Sequence, residues 1–389
     1  MKRTLIILFL TTLLLSSCDW KSKKTDKWTI LIYMAADNSL SSNADEDIDE
    51  MAQADIPDNI NVIVQIDRNE YNSDPDAKRY QISKNSKHPI DDLGEIDSGD
   101  PTVLTEFINW GSNKYPADKT AVIIWSHGNG WLQGYNKFCP DNQAGSSISI
   151  VEGELNMAMQ NINITPEILA FDACNMLSVE VISEVAKHSK YILGSEDSIP
   201  ADGFPYDEIL PIFWEQLQTE QICEQIINYF VNSHMPYGSQ NLYGDDRVMT
   251  GAVVKSSAFL QLEANLKTFC DKWIGNELDA FTEARGKIQI EFNDLSADID
   301  LKDYFTRLRQ ASDNNALDEI CTTILNNIET CFTSQYFHNS NFPYYNAGTA
   351  TIWFPENHDT FEDLTPLYKQ LHFTKNTGWD NFLAQLFSK

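Results

Sequence analysis

From residue 28 onward the chain alternates short, almost wholly apolar runs with longer amphipathic stretches, the pattern of a parallel sheet covered by helices on both faces. Strands are predicted at 28–34 (WTILIYM), 60–66, 119–126, 168–172 and 191–195, with 78–82 as part of an edge hairpin. The AVIIW run at 121–125 has no polar position at all, as expected for a strand buried on both sides. Helices are predicted at 42–54, 101–113, 154–162 and 176–188; Pro101 at a first helical position with Asp100 before it marks one start. Asp45, Glu46 and Asp47 fall in the first turn of the predicted 42–54 helix, where carboxylates suit the helix dipole. Past Tyr243 the pattern turns mainly helical (256–273, 301–310, 316–332), interrupted by strand-like pieces at 250–254 and 349–354. The expected organisation is an α/β domain over 28–243 and a largely helical carboxy-terminal subdomain over 244–389.

The amino terminus changes the picture of where this domain works. Lys2 and Arg3 precede an apolar run over 5–15 that ends in Ser16 and Ser17, which reads as an export signal over 1–17. The run is too short to span a bilayer. LSSC at 15–18 resembles a bacterial lipobox, in which the thiol of the new first residue, here Cys18, is acylated; residues 18–27 are then a polar tether. The expected location is the cell envelope, exported and held by lipid on a membrane face; a plain export signal with an incidental cysteine is the alternative. The chain carries 28 Lys and Arg against 57 Asp and Glu, a net charge of −29. With no basic cluster to meet phosphates, nucleic acid is not an expected partner. Adhesion to anionic lipid is disfavoured too, so the membrane link rests on the acyl group. A negative field draws in cationic substrates.

Of seven cysteines, lipidation of Cys18 leaves Cys139, Cys174, Cys223, Cys270, Cys321 and Cys331. A chain this long needs no disulfide staples, and no CxxC or Cys/His cluster points to zinc, so no metal ligand is assigned. Two predicted buried strands end at reactive side chains: one runs into His127, the other into Cys174. Ligands in open α/β sheets bind at the carboxyl ends of strands, so both groups are expected to open onto one edge. A thiolate attacks carbonyls and an imidazole supplies a proton to a leaving amine. The histidine precedes the cysteine by 47 residues, close to the caspase spacing of about 50. Gly128 allows close backbone approach, and its N–H with that of Cys174 forms a candidate oxyanion hole. Taken singly, the cysteine also reads as buried filler and the histidine as a turn residue.

Four ordered motifs carry a resemblance: WTILIYMAADN at 28–38, IIWSHGNGW at 123–131, FDACNM at 171–176 and GSEDSIPADGFPY at 194–206, with weaker matches at 300–303 (DLKD) and 351–355 (TIWFP). They resemble the clostripain family of cysteine peptidases, of the caspase-like clan, over nearly all of the chain after the tether. The resemblance implies a caspase-like α/β/α sandwich with a mainly parallel central sheet, a His127/Cys174 dyad, and cleavage of peptide or protein substrates after Arg or Lys. It also implies that Asp172 and Asp202 are acidic residues of the primary specificity pocket. For Asp172 strand geometry agrees, since residues two apart share a face and its carboxylate then shares the Cys174 cleft, where Arg pairs bidentately. The alternatives are a cap for the following helix at Asp172 and an Asp-Gly turn at Asp202.

Relatives are often cleaved after a basic residue between the histidine and the cysteine, whereas only Lys137 is basic in that interval here. The chemistry requires no cofactor. Calcium dependence, implied by some relatives, is allowed by the acidic composition, but the carboxylate-rich stretch of Asp91, Asp92, Glu95, Asp97 and Asp100 reads as a solvated turn. The expectation is a monomeric, lipid-anchored cysteine endopeptidase. The competing readings are a surface-binding lipoprotein that keeps the fold without turnover and an amidase or transpeptidase using the same thiol.

Overall fold

The first strand shows why the sheet forms. All nine residues of β1 (Trp28–Ala36) are buried, and they pair in parallel with a strand on each side. The computed structural model describes residues 27–132, 137–245, 247–273, 278–288, 292, 297–337 and 347–388. The signal, Cys18 and the tether up to residue 26 lie outside them. After β1 the chain runs through α1 (Ser41–Gln53), β2 (Ile60–Arg68), β3 (Ala77–Ser83), β4 (Ser86–Gly94), α2 (Pro101–Lys114), β5 (Lys119–Trp125), α3 (Glu154–Gln160), β6 (Ile168–Asp172), α4 (Val179–Val185), β7 (Tyr191–Gly194), α5 (Tyr206–Ile209), α6 (Thr219–Ser233) and β8 (Met249–Lys255). It continues through α7 (Ser256–Trp273), α8 (Leu278–Gly286), β9 (Asp298–Asp300), α9 (Leu301–Ala311), α10 (Asn315–Cys331), β10 (Phe332–Phe337), β11 (Thr351–Trp353), α11 (His358–Tyr368), α12 (His372–Thr377) and α13 (Trp379–Phe387).

The central sheet has nine strands in the order β10-β8-β7-β6-β5-β1-β2-β3-β4. The inner strands β7, β6, β5, β1 and β2 are parallel, and antiparallel pairs close both edges. Alternation along β1 assigns the two faces. Leu31, Tyr33 and Ala35 pack into one core with Phe107, Ile182 and Trp379; Ile30, Ile32 and Met34 pack into the other with Ile48, Met51 and Phe230. The chain is thus an α/β/α sandwich on a mainly parallel sheet, as its apolar runs predict.

Several local expectations change. The stretch that reads as a solvated acidic turn begins as strand: Asp91 and Asp92 lie on β4, where Asp91 sits 3.6 Å from Arg79, whereas Glu95, Asp97 and Asp100 follow it outside any strand. Asp100 caps α2 by accepting from Thr102 N at 2.8 Å, as expected. Because α1 starts at Ser41, its carboxylates miss the first turn; Asp45 pairs with Arg68 at 2.8 Å, and Asp47 accepts the Trp125 indole N–H at 2.6 Å. The helix after Cys174 begins only at Val179, because Leu177 is held extended between Ser195 O and Thr351 N. Its cap is Ser178, which accepts from Val181 N at 3.2 Å. Beyond Tyr243, β8 and β10 extend the central sheet itself, and β9 with β11 forms a separate antiparallel pair.

The carboxy-terminal part braces α4 through one buried carboxylate. Glu180 Oε1 accepts from Trp353 N at 3.0 Å and Tyr368 Oη at 2.7 Å. Burial, reinforced by Asp298, pushes the Glu180 carboxyl well above its usual 4.5. The native state therefore holds this proton more tightly than the unfolded chain, so the associated stability is complete below about 4.5 and is lost as pH rises through the folded value. Glu180→Gln keeps the acceptor and removes the titration. The melting temperature of the native protein should fall more steeply between pH 6 and pH 9 than that of the variant; parallel curves would contradict this role.

Candidate functional site

β5 and β6 end level with one another. Trp125 is the register partner of Asp172, and Ser126 N donates to Asp172 O at 3.2 Å. His127 and Cys174 each follow two residues later, so both emerge at the carboxyl edge of the sheet. They line one cleft of about 250 Å³ together with Leu40 from the loop after β1, Asp172 and Ile199. This is the point where the strand order reverses on either side of β1, the place where α/β sheets open a crevice. All six described cysteines are free; five are buried and Cys174 alone is half-buried.

Cys174 Sγ accepts from Ile199 N at 3.3 Å and lies 3.6 Å from Ile199 O. Burial raises its pKa, and the Ile199 amide opposes the shift. Burial also holds the His127 imidazole below its usual 6.5. Its Nε2 lies 2.9 Å from Ser39 Oγ. Both shifts favour a neutral thiol beside a neutral imidazole at rest, which is a nucleophile that needs its proton removed and a base able to take it.

The backbone around the thiol is tightly constrained. A Cβ on Gly128 would stand 2.5 Å from Cys174 O and 3.1 Å from Ala173 Cβ, so only glycine lets these two strand ends meet. Asn175 has φ +58°, in the left-handed region that asparagine tolerates better than most side chains. It is pinned there by Asn175 N to Asp197 O (3.1 Å) and Nδ2 to Glu196 O (3.1 Å). Sequence reasoning missed both Asn175 and Ile199; an asparagine directly after a strand-end cysteine was the available signal for the first.

Asp172 is 2% exposed. Its Oδ2 accepts from Phe204 N at 3.1 Å and Tyr206 Oη at 3.0 Å, while Oδ1 is buried with no hydrogen-bond partner. Burial pushes its pKa up to about 6 against the pull of those two donors. Since Ser178 caps α4, Asp172 is not a helix cap. Gly203, at φ +57°, closes the adjoining loop over it; a Cβ there would stand 2.8 Å from Asp172 Oδ2. Glu50, outside the cleft lining, accepts from Tyr206 N at 2.8 Å, and burial lifts its pKa to about 7. Asp202 is placed differently: it pairs with Arg247 at 3.4 Å and does not line the cleft. Arg247 also donates to Gln240 O at 3.1 Å. The structure thus brings His127, Gly128, Asp172 and Cys174 together and leaves Asp202 outside.

The clostripain family model matches residues 32–385. Clostripain from Hathewaya histolytica is 29% identical over 222 residues, which is 48% of this chain and only 42% of that protein. A secreted C11 cysteine protease from Bacteroides thetaiotaomicron, solved with an irreversible peptide inhibitor, superimposes with a TM-score of 0.71 at 22% identity, covering 91% of this chain and 99% of its own. An inactive zymogen C11 protease from Parabacteroides distasonis gives 0.69 at 24% identity, covering 91% and 98%. At these identities the solved structures establish a shared fold.

Gly128→Ala tests the packing of the two strand ends. It should destabilise the fold by about 1–3 kcal/mol in urea unfolding, because the new Cβ meets backbone. Gly286→Ala, where a Cβ would meet nothing within 4 Å, should be neutral or slightly stabilising. Equal stability of the two variants would contradict the close approach.

Proposed function

Because the chain belongs to the clostripain family, we propose that it is a cysteine endopeptidase that cuts peptide bonds after arginine or lysine. The observation that carries the specificity is the unpartnered, buried Oδ1 of Asp172 in the cleft that Cys174 and His127 also line. A buried carboxylate oxygen without a donor is costly, and a guanidinium or ammonium entering the cleft supplies the missing donor and the opposite charge. Arginine gains most, through its planar fork. The acidic composition favours the approach of a basic side chain.

In the proposed reaction His127 takes the thiol proton as Cys174 Sγ bonds to the scissile carbonyl carbon. The oxyanion that forms is held by the Gly128 and Cys174 N–H groups. Collapse breaks the C–N bond, and His127 returns its proton to the leaving amine. Water, deprotonated by His127, then attacks the thioester and releases the new carboxylate, and the proton goes back to Cys174. The Ile199 N–H, which faces Sγ in the resting site, favours the thiolate as it develops. Asp202 belongs to this proposal only as an outer acidic group, its charge already met by Arg247.

The same proposal places the enzyme in the cell envelope, held by a lipid on Cys18. Its support is the LSSC run at 15–18 after an apolar signal. No helix among the described residues is long and apolar enough to cross a membrane.

The test is incubation of the purified chain with fluorogenic peptides ending in Arg, Lys or Asp, beside Cys174→Ala and Asp172→Asn. Cleavage after Arg and Lys but not Asp is expected, with none in Cys174→Ala. Asp172→Asn should lose about 30-fold or more in kcat/KM for basic peptides, the scale of removing one partner from a buried charge pair. Ionised Asp172 is the binding form and its pKa is raised to about 6, so kcat/KM should climb as pH rises through that value. Absence of cleavage of every peptide, with and without calcium, would sink the proposal in favour of a binding protein. Unchanged Arg cleavage in Asp172→Asn would sink the specificity assignment alone.

A further inference from the structure

The His127 imidazole is met at one nitrogen by a side chain from the loop after β1: Nε2 lies 2.9 Å from Ser39 Oγ. Both partners hang from one atom at the end of β1. Ala35 O accepts from Ser126 Oγ at 2.7 Å and from Asn38 Nδ2 at 2.9 Å, so the residue before His127 and the residue before Ser39 are tied to the same carbonyl. Asn38 is 2% exposed and holds the loop with all of its polar groups. Its N–H donates to Ala36 O at 2.7 Å, its Oδ1 accepts from Leu40 N at 3.0 Å, and its C=O accepts from Asn69 Nδ2 at 2.8 Å. A second bond from Asn38 Nδ2 reaches Pro140 O at 3.0 Å, and Cys139 N donates to His127 O at 3.3 Å. The separation of hydroxyl and imidazole is therefore set by anchored backbone on both sides.

The partner of one ring nitrogen decides what the other can do. With Nε2 turned to Ser39, Nδ1 is the nitrogen left for the thiol, and it must be bare to take a proton. That requires the tautomer with hydrogen on Nε2, for which Ser39 Oγ is the acceptor. The same bond serves after proton transfer, because an imidazolium has two N–H donors and Ser39 Oγ meets the one that faces away from sulfur. A hydroxyl also differs from a carboxylate in this place: it orients the ring without drawing a proton onto it at rest. The titratable side chains on the elements packed about the ring are Asp172 and Cys174 of the cleft, Asp37 beside Asn38, and Cys139. Asp172 turns to Phe204 N and Tyr206 Oη, and Asp37 accepts from Gln143 N at 2.9 Å. Burial, not a charged neighbour, is what holds the imidazole below 6.5.

We propose that Ser39 is the positioning residue of the His127/Cys174 pair: its hydroxyl accepts from His127 Nε2–H and so presents a bare Nδ1 to the thiol. This rests on the peptidase reading of the cleft. In acylation the S–H bond breaks, its proton passes to Nδ1, and sulfur bonds to the carbonyl carbon; the bond from Nε2–H to Ser39 strengthens as charge develops on the ring. When the C–N bond breaks, the Nδ1 proton goes to the departing amine and the ring is neutral again, in the tautomer with which it began. Ser39 exchanges no proton and does not line the cleft. It is exposed, so removing its hydroxyl opens no cavity, and its loss is felt in proton transfer rather than in the fold.

Nitrogen chemical shifts of the histidine rings, with His127 assigned by its absence from His127→Ala, read tautomer and titration without any cleavage. In alkaline solution the native chain should show His127 protonated on Nε2. Ser39→Ala should mix the two tautomers and lower kcat for an arginyl peptide about tenfold, with KM and melting temperature unchanged. Ser39→Thr restores a hydroxyl and should recover most of that rate. Ser39→Asp sets a carboxylate against Nε2 and should raise the pH at which the ring titrates by about 1 or more. A native ring protonated on Nδ1 would overturn the inference even if peptides are cleaved, as would a Ser39→Ala chain whose tautomer, titration and kcat match the native protein. If no peptide is cleaved, the peptidase reading falls, while an Nε2–H tautomer that is lost in Ser39→Ala still upholds the positioning by Ser39.

Discussion

Parallel pairing between β5 and β6 at the middle of the sheet is the constraint on which the cleft depends. Because Trp125 stands level with Asp172, the residues two beyond each strand, His127 and Cys174, leave the sheet at one height and toward one opening. A slip of one residue would turn every side chain of β6 to the opposite face and bury the carboxylate of Asp172 in the wrong core. Burial on both faces prevents that slip: Leu169 and Phe171 fill one core while Ile168 and Ala170 fill the other. Gly128 and Asn175 complete the arrangement, one by lacking a side chain where the strand ends touch and the other by accepting a left-handed backbone. The position of the thiol is thus a consequence of sheet packing.

A second theme is negative charge kept in low-dielectric surroundings. Asp172, Glu50, Glu180 and Asp67 all have carboxyls raised by burial first and by acidic neighbours second or by burial alone. They differ in what answers the cost. Glu180 Oε1 is met by Trp353 N and Tyr368 Oη, so it acts as internal bracing, although its Oε2 is buried without a hydrogen-bond partner. Asp172 keeps one oxygen unmet and Asp67 keeps two. An unmet acceptor in the cleft is where the proposed basic side chain would supply the missing donor.

Much of this was legible in the chain. Apolar runs predicted the inner strands because those strands are buried on both faces, and the strand ends made His127 and Cys174 candidates that the family motifs raised to a dyad. Other features left no such trace. β4, whose residues are exposed or half-buried, contains Pro89 and several charges and so lacks the alternation that marks a strand. β8 reads as apolar, yet nothing in its sequence says that it pairs with β7 rather than opening a new unit. Asp202 reads either as an acidic pocket residue or as an Asp-Gly turn, and only the tertiary structure shows Arg247 3.4 Å from its carboxylate. The acidic group of Asp37, Glu95 and Asp141 was invisible for the same reason, being assembled from three segments distant in sequence.

The central claim is that sheet register makes Cys174 a nucleophile sitting beside an acidic receptor for a basic side chain. The most direct measurement is reaction of the chain with an arginyl peptide chloromethyl ketone, followed by intact mass and mapping of the modified residue. The account predicts a single adduct, on Cys174, formed much more slowly in Asp172→Asn and in His127→Ala. Modification of another cysteine, or labelling of Cys174 at an undiminished rate in Asp172→Asn, would contradict it.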